Sequence, residues 1–118
     1  MPGKAVSNNV RLAPRSRLVI ESCMRQKLSD LEIQRSLGTL AGWSRRGDAL
    51  TKTFTFDKFA QGVAFVDRVA AAADQMDHHP DIDIRYTKIT MTLSTHDAGG
   101  ITQADLNLAE KIESAAGT

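Results

Sequence analysis

A chain of 118 residues, 42% hydrophobic and 25% charged, has the size and balance of one compact domain that buries its own core. Its formal net charge of +1 is too small to argue for nucleic acid or a membrane surface as a partner, and no apolar run approaches the roughly 20 residues of a membrane span. The single cysteine, Cys23, excludes an intrachain disulfide and fits a reducing compartment such as the cytoplasm.

The charge is uneven. Residues 1–28 hold Lys4, Arg11, Arg15, Arg17, Arg25 and Lys27 against one acid, Glu21. Residues 1–27 therefore read as a basic N-terminal extension, with 28–118 as the domain. An Arg-rich, acid-poor leader is also the composition of an organelle transit segment. Pro2, Gly3, Asn8, Asn9 and Pro14 make the start of the extension poor helix material, and some helix is expected over residues 18–28. The stretch SRLVIESCM, residues 16–24, is too short and too interrupted for a secretory signal core.

Ser29 and Glu32 have capping-box spacing, and Ile33, Leu37 and Leu40 follow at helical intervals. The pattern predicts a helix over residues 30–41, ended by Gly42. Residues 43–46 and 49–56 flank Gly47-Asp48, a pair suited to a type II′ hairpin. In the second strand Leu50, Lys52, Phe54 and Phe56 share one face, and Thr51, Thr53 and Thr55 the other. Asp57 is placed to cap a long helix, residues 57–76, with Phe59, Val63, Val66, Ala70 and Ala73 as its apolar stripe. Pro80 forbids further helix. Ile82, Ile84 and Tyr86 alternate in one phase and Ile89, Met91 and Leu93 in the other, so two strands break near Thr87. Gly99-Gly100 form a turn. Thr102 caps a last helix, with Asp105 at its third position and Leu108, Ala109 and Ile112 inward.

The order helix, two strands, helix, two strands, helix predicts an α+β fold: two layers, a four-stranded antiparallel sheet with three helices on one face.

Two polar islands carry the candidate chemistry: Asp77-His78-His79-Pro80, and Ser94-Thr95-His96-Asp97. If the third and fourth strands are antiparallel neighbours, the start of one lies beside the end of the other, and all three histidines of the chain converge. Three imidazoles can hold zinc. Adjacent histidines in an extended segment point to opposite faces, however, and no His-x-His or His-x-x-x-His pair is present. Acid/base work suits the cluster, because histidine supplies both proton forms near neutrality. A purely structural role, imidazolium at a helix C-terminus, is equally available to His78 and His79. Asp105 in a first helical turn stabilises the helix whatever else it does. No GxGxxG, phosphate-binding loop or GxSxG motif occurs.

Asp77-His-His-Pro80, then the stretch from Thr92 to Asp97 and that from Gly100 to Ala109, resembles the pterin-4a-carbinolamine dehydratases, the family also known as a dimerization cofactor of a homeodomain transcription factor. The resemblance runs from about Leu28 to Ile112 and takes in Gly42-Trp43 and residues 54–68. It implies dehydration of a 4a-hydroxytetrahydropterin to quinonoid dihydropterin in tetrahydrobiopterin recycling, without metal or nucleotide cofactor. It further implies His78, His79 and His96 as catalytic residues, with Asp77, Pro80, Ser94, Thr95, Asp97 and Asp105 lining or neighbouring the substrate, and a homodimer or homotetramer. Animal members carry Glu-Trp after His-His-Pro, where this chain has Asp81-Ile82. A non-catalytic interaction protein on the same fold is the competing function, and it does not need the three histidines.

Overall fold

The structure, a computed structural model, describes residues 26–117. The helix expected over residues 18–28 falls largely outside them; Lys27 forms an isolated antiparallel bridge with Thr102, and the Leu28 amide donates to the Ile101 carbonyl at 2.9 Å.

Helix α1, Asp30–Leu37, begins as its capping box predicts. The Ser29 amide donates to Glu32 Oε1 at 2.9 Å, and the Glu32 amide to Ser29 Oγ at 3.2 Å. These bonds hold the Glu32 carboxyl below its ordinary pKa, and the Arg45 guanidinium, 2.8 Å from Asp30, does the same for that residue. Both effects support the helix above the ordinary carboxylate range and are lost as pH falls through the lowered values. The helix ends at Leu37, short of the residue 41 expected. Gly38 is its C-cap, and the Thr39 hydroxyl takes the Ser36 carbonyl at 2.9 Å, drawing the chain into tighter turns. Gly42 then adopts φ +84° to enter the sheet.

Strands β1, Ser44–Arg46, and β2, Ala49–Thr55, form the hairpin, with positive φ at Gly47 as type II′ requires. Helix α2 runs Phe59–Met76. Its cap is Lys58, whose amide donates to Gln61 Oε1 at 3.1 Å, and not Asp57. Strands β3, Asp81–Arg85, and β4, Lys88–Leu93, pair antiparallel around the expected break, with Ile82 opposite Met91 and Ile84 opposite Ile89. A 3-10 turn, His96–Ala98, leads to helix α3, Gln103–Ala116, capped at Thr102. The sheet order is β1-β2-β4-β3, all antiparallel, in an α+β two-layer arrangement. Among the described residues no helix is long and apolar enough to cross a membrane.

The core lies between helices and sheet. Leu50, Ile89, Met91 and Leu93 point in from the central strands, and Leu108, Ala109 and Ile112 from α3. Phe65 of α2 seats against Phe54 and Phe56, with ring centroids 4.9 and 5.1 Å away. A side chain at Gly62 would meet Ile89 Cδ1 at 2.8 Å, so this glycine lets α2 approach β4 closely. The buried face of α2 is Gly62, Phe65, Val69 and Ala73. Phe59 and Val63 of the expected stripe are about half exposed, at 50% and 43%. The helix is alanine-rich around much of its circumference, so spacing alone leaves its rotation open. The seat beside Phe54 and Phe56 decides it.

At the far end, Trp43 Nε1 donates to Glu113 Oε2 at 3.0 Å. Lys52 Nζ reaches the same oxygen at 2.6 Å and the Ala41 carbonyl at 2.9 Å. The ammonium also lies 4.7 Å from the centroid of the Phe54 ring. This accounts for a lysine on the inward face of β2: its stem packs and its charge is met by α3.

Phe65→Ala empties the aromatic seat and is expected to cost about 3–5 kcal/mol of unfolding free energy, read from urea titration.

Candidate active site

The end of α2 is a Schellman turn. The His78 amide bonds the Ala73 carbonyl at 3.1 Å, and the Asp77 amide bonds Asp74 O at 3.2 Å. The left-handed position that glycine ordinarily fills is taken by Asp77, at φ +51°. Holding a non-glycine residue there costs roughly 1 kcal/mol. The turn throws His78 and His79 out of the helix in different directions, and Pro80 then starts the chain toward β3.

His78 goes inward. It is 7% exposed, and its Nε2 lies 2.5 Å from Oδ1 of Asp105, which is fully buried. Asp105 Oδ2 accepts Thr95 Oγ1–H at 3.0 Å and the Thr102 amide at 2.9 Å. Three donors therefore converge on one carboxylate. His78 must carry its proton on Nε2 to be one of them, which leaves Nδ1 without a hydrogen-bond partner among the described residues. His79 goes outward. Its Nε2 meets Asp74 Oδ1 at 2.9 Å, with both side chains largely exposed.

The second island closes on itself. The Thr95 amide bonds the Gly100 carbonyl at 2.9 Å, and the Gly100 amide returns to Thr95 O at 3.3 Å. Gly99, at φ +75°, turns the loop between them. Lys27 lies over Gly100, where an added Cβ would meet its Cε at 3.0 Å. Thr95 is buried, whereas His96 and Asp97 are exposed at the rim. Ser94 Oγ donates to the Asp48 carbonyl at 2.8 Å, tying the first hairpin turn to the end of β4.

The two islands meet. Asp77, His78, His79, Ser94, Thr95, His96 and Asp97 line one cavity of about 270 Å³. The antiparallel pairing of β3 with β4 brings them together, as the chain order implied. Two expected residues are not in the lining: Pro80 lies before β3, and Asp105 sits beneath, touching the cavity wall through His78 and Thr95. A larger groove of about 660 Å³ crosses the open sheet face, with Ser44, Arg46, Thr51, Thr53 and Asp83 among its walls, but no imidazole enters it. Among the described residues no three His, Cys, Asp or Glu side chains are grouped to hold a metal.

Two residues were missed by reading the sequence. Asp74 holds His79, and Thr102 reaches Thr95 Oγ1 at 2.8 Å as well as capping α3. Asp74 had one signal: a carboxylate in the last turn of a helix opposes the macrodipole, so its presence asks for another reason. Thr102 had none, because a threonine cap explains itself.

A sequence model of the family described as Pterin 4 alpha carbinolamine dehydratase matches residues 26–115. A relative from Roseiflexus sp. strain RS-1, named for pterin-4-alpha-carbinolamine dehydratase, is 51% identical over 90 residues, covering 76% of this chain and 97% of its own. Another of that name, from Sulfurisphaera tokodaii, is 47% identical over 88 residues, covering 75% and 95%. Among solved structures, a transcriptional coactivator/pterin dehydratase from Brucella melitensis superposes with a TM-score of 0.75 at 31% identity, over 77% of this chain and 99% of that one. A pterin dehydratase-like protein identified as a RuBisCO assembly factor in the alpha-carboxysome gives 0.54 at 28% identity, over 64% and 88%. The chain belongs to the pterin-4a-carbinolamine dehydratase family and is an enzyme of its hydro-lyase class.

Proposed function

We propose that the cavity between Asp77 and Asp97 dehydrates a 4a-hydroxytetrahydropterin by histidine acid/base catalysis, as a step of tetrahydrobiopterin recycling in the cytoplasm. The observation that carries this is the convergence of His78, His79 and His96 on one small polar cavity. Its volume of about 270 Å³ suits a bicyclic ring and lies just below the roughly 300–1,000 Å³ of common small-molecule pockets.

The reaction has two proton ends. The N5–H bond is broken by a base, the N5 electron pair forms the N5=C4a double bond, and the C4a–O bond breaks as the hydroxyl takes a proton from an acid and leaves as water. His79, held at Nε2 by Asp74, suits the base, since the carboxylate stabilises the imidazolium that forms. His96 at the rim suits the acid. His78 offers Nδ1 to the substrate while Asp105 holds its other nitrogen. Asp77, Thr95 and Asp97 offer polar contacts to the pterin ring. Ser94 has committed its proton to Asp48 and meets a ligand only as an acceptor.

A second copy of the chain is the proposed partner. Ile82, Ile84 and Tyr86 of the β3 edge are 36%, 42% and 74% exposed, and Phe59 and Val63 add apolar surface on α2. Uncovered apolar edges of this kind invite association. The two structural neighbours, one described as a coactivator and one as an assembly factor, favour a second reading, an interaction protein; the three imidazoles in one cavity favour the enzyme.

Adding the protein to 4a-hydroxytetrahydropterin is expected to speed its decay to quinonoid dihydropterin, followed by absorbance; a decay rate equal to buffer removes the enzyme reading. His79→Ala and His96→Ala are each expected to lower kcat by about 100-fold, the lower range for loss of a general acid or base. Near-normal rates in both would reject the assignment of the two residues.

Asp105→Asn turns an amide donor toward either His78 or the Thr95 and Thr102 donors. The expected cost is about 2–4 kcal/mol of stability in urea, together with loss of turnover.

Ile84→Lys is expected to shift the wild-type oligomer toward monomer in sedimentation at micromolar concentration. A wild-type chain that is already monomeric contradicts the proposed partner.

A further inference from the structure

Thr102 stands outside the cavity, behind Thr95 and Asp105, and is fully buried. Its hydroxyl oxygen is 2.8 Å from Thr95 Oγ1, a distance at which one of the two must donate. Hydrogen counting decides which. Thr95 has a single hydroxyl proton, and Asp105 Oδ2, 3.0 Å away, can only accept it. Thr102 is therefore the donor to Thr95. Its backbone amide donates to the same Asp105 Oδ2 at 2.9 Å. Thr102 thus acts on Asp105 twice, once directly and once through Thr95, and every donor in the chain points toward the carboxylate that holds His78. Apart from His78 Nδ1, every side-chain nitrogen and oxygen of this cluster has a partner, so a change at one end has little slack to absorb it.

We infer that Thr102 is a positioning residue for the dehydration: its hydroxyl fixes the Thr95 rotor, which fixes Asp105, which holds His78 with its proton on Nε2 and Nδ1 toward the substrate. The backbone around Thr102 is itself pinned. Lys27 bridges to it, and the Leu28 amide bonds Ile101 O at 2.9 Å. The donor at the head of the relay is accordingly held by main chain at the start of α3.

Thr102→Val keeps the volume and branching and removes the donor. Thr95 then has an acceptor site with nothing to fill it, and its hydroxyl has only the bond to Asp105 left to orient it. This inference rests on the dehydratase reading, so it is tested by two measurements on the full chain. The first is the imidazole N–H proton of His78 in nitrogen-15-edited spectra. In the wild type it is expected to be a sharp Nε2–H signal in slow exchange with water; in Thr102→Val it moves upfield and exchanges faster; in Thr102→Ser it matches the wild type. The second is turnover. Thr102→Val is expected to lower kcat about tenfold, the factor set by roughly one hydrogen bond, with KM changed less than about twofold because Thr102 does not line the cavity. Thr102→Ser is expected to retain both values, and adding Thr102→Val to Thr95→Val to cause no further loss.

An unchanged His78 signal in Thr102→Val overturns the inference. So does a serine variant that behaves like valine, or a double variant whose losses multiply. Should the valine variant fail to fold in a urea titration, Thr102→Ala against Thr102→Ser makes the same comparison. A wild type that does not accelerate pterin dehydration rejects the dehydratase reading instead, and leaves the imidazole signal to judge the relay.

Discussion

One buried carboxylate holds the site together. Asp105 has no contact with water, and an unpaired charge there would be intolerable. It is stable because His78, Thr95 and the Thr102 amide each donate a hydrogen bond to it. Those donors come from three places: the end of α2, the loop after β4 and the start of α3. Satisfying Asp105 therefore registers three elements to one another. The cavity above it, with His79 and His96 at its mouth, follows from that registration. The need to meet one buried carboxylate with donors is what brings the cavity-lining groups into position.

The division of burial among the histidines follows from the same constraint. The Schellman turn at Asp77 sends consecutive residues to opposite environments, so one imidazole is anchored in protein and the next is left in contact with solvent and Asp74. Adjacent histidines sent to opposite environments serve one metal ion poorly, and under the proposed function they suit two different tasks. An anchored ring can orient a substrate. A solvent-facing ring can exchange its proton with water between turnovers.

Much of this was legible in the residues. The Ser29–Glu32 capping box, the Gly47-Asp48 turn and the phase change between Ile84 and Ile89 are local signals, and each appears where its spacing says. Convergence of the two islands followed from strand order alone. What was illegible depended on packing or competition. The end of α1 was decided by the Thr39 hydroxyl taking a helix carbonyl. The rotation of α2 was decided by the seat of Phe65 against Phe54 and Phe56, and the inward Lys52 by an acid 61 residues away. Asp74 was overlooked because its partner is defined by a turn geometry, not by a repeat. The fate of Asp105 was half visible: its position predicted a helix-stabilising carboxylate, but nothing in the sequence said that the same oxygen atoms also receive His78 and Thr95.

The Trp43–Glu113 bond has a consequence for how folding can be watched. Trp43 is the chain's single tryptophan, it is 6% exposed, and its indole N–H is held by a residue 70 positions along the chain. The cavity contacts between His78 and Asp105 span only 27 positions. Closing the longer loop carries the greater entropic cost, and that contact lies at the other end of α3. Intrinsic fluorescence therefore reports the seam between the first hairpin and the C-terminal helix more directly than the pocket. A probe at the histidines reports the opposite. The molecule thus carries an optical reporter at one end of α3 and a magnetic one at the other.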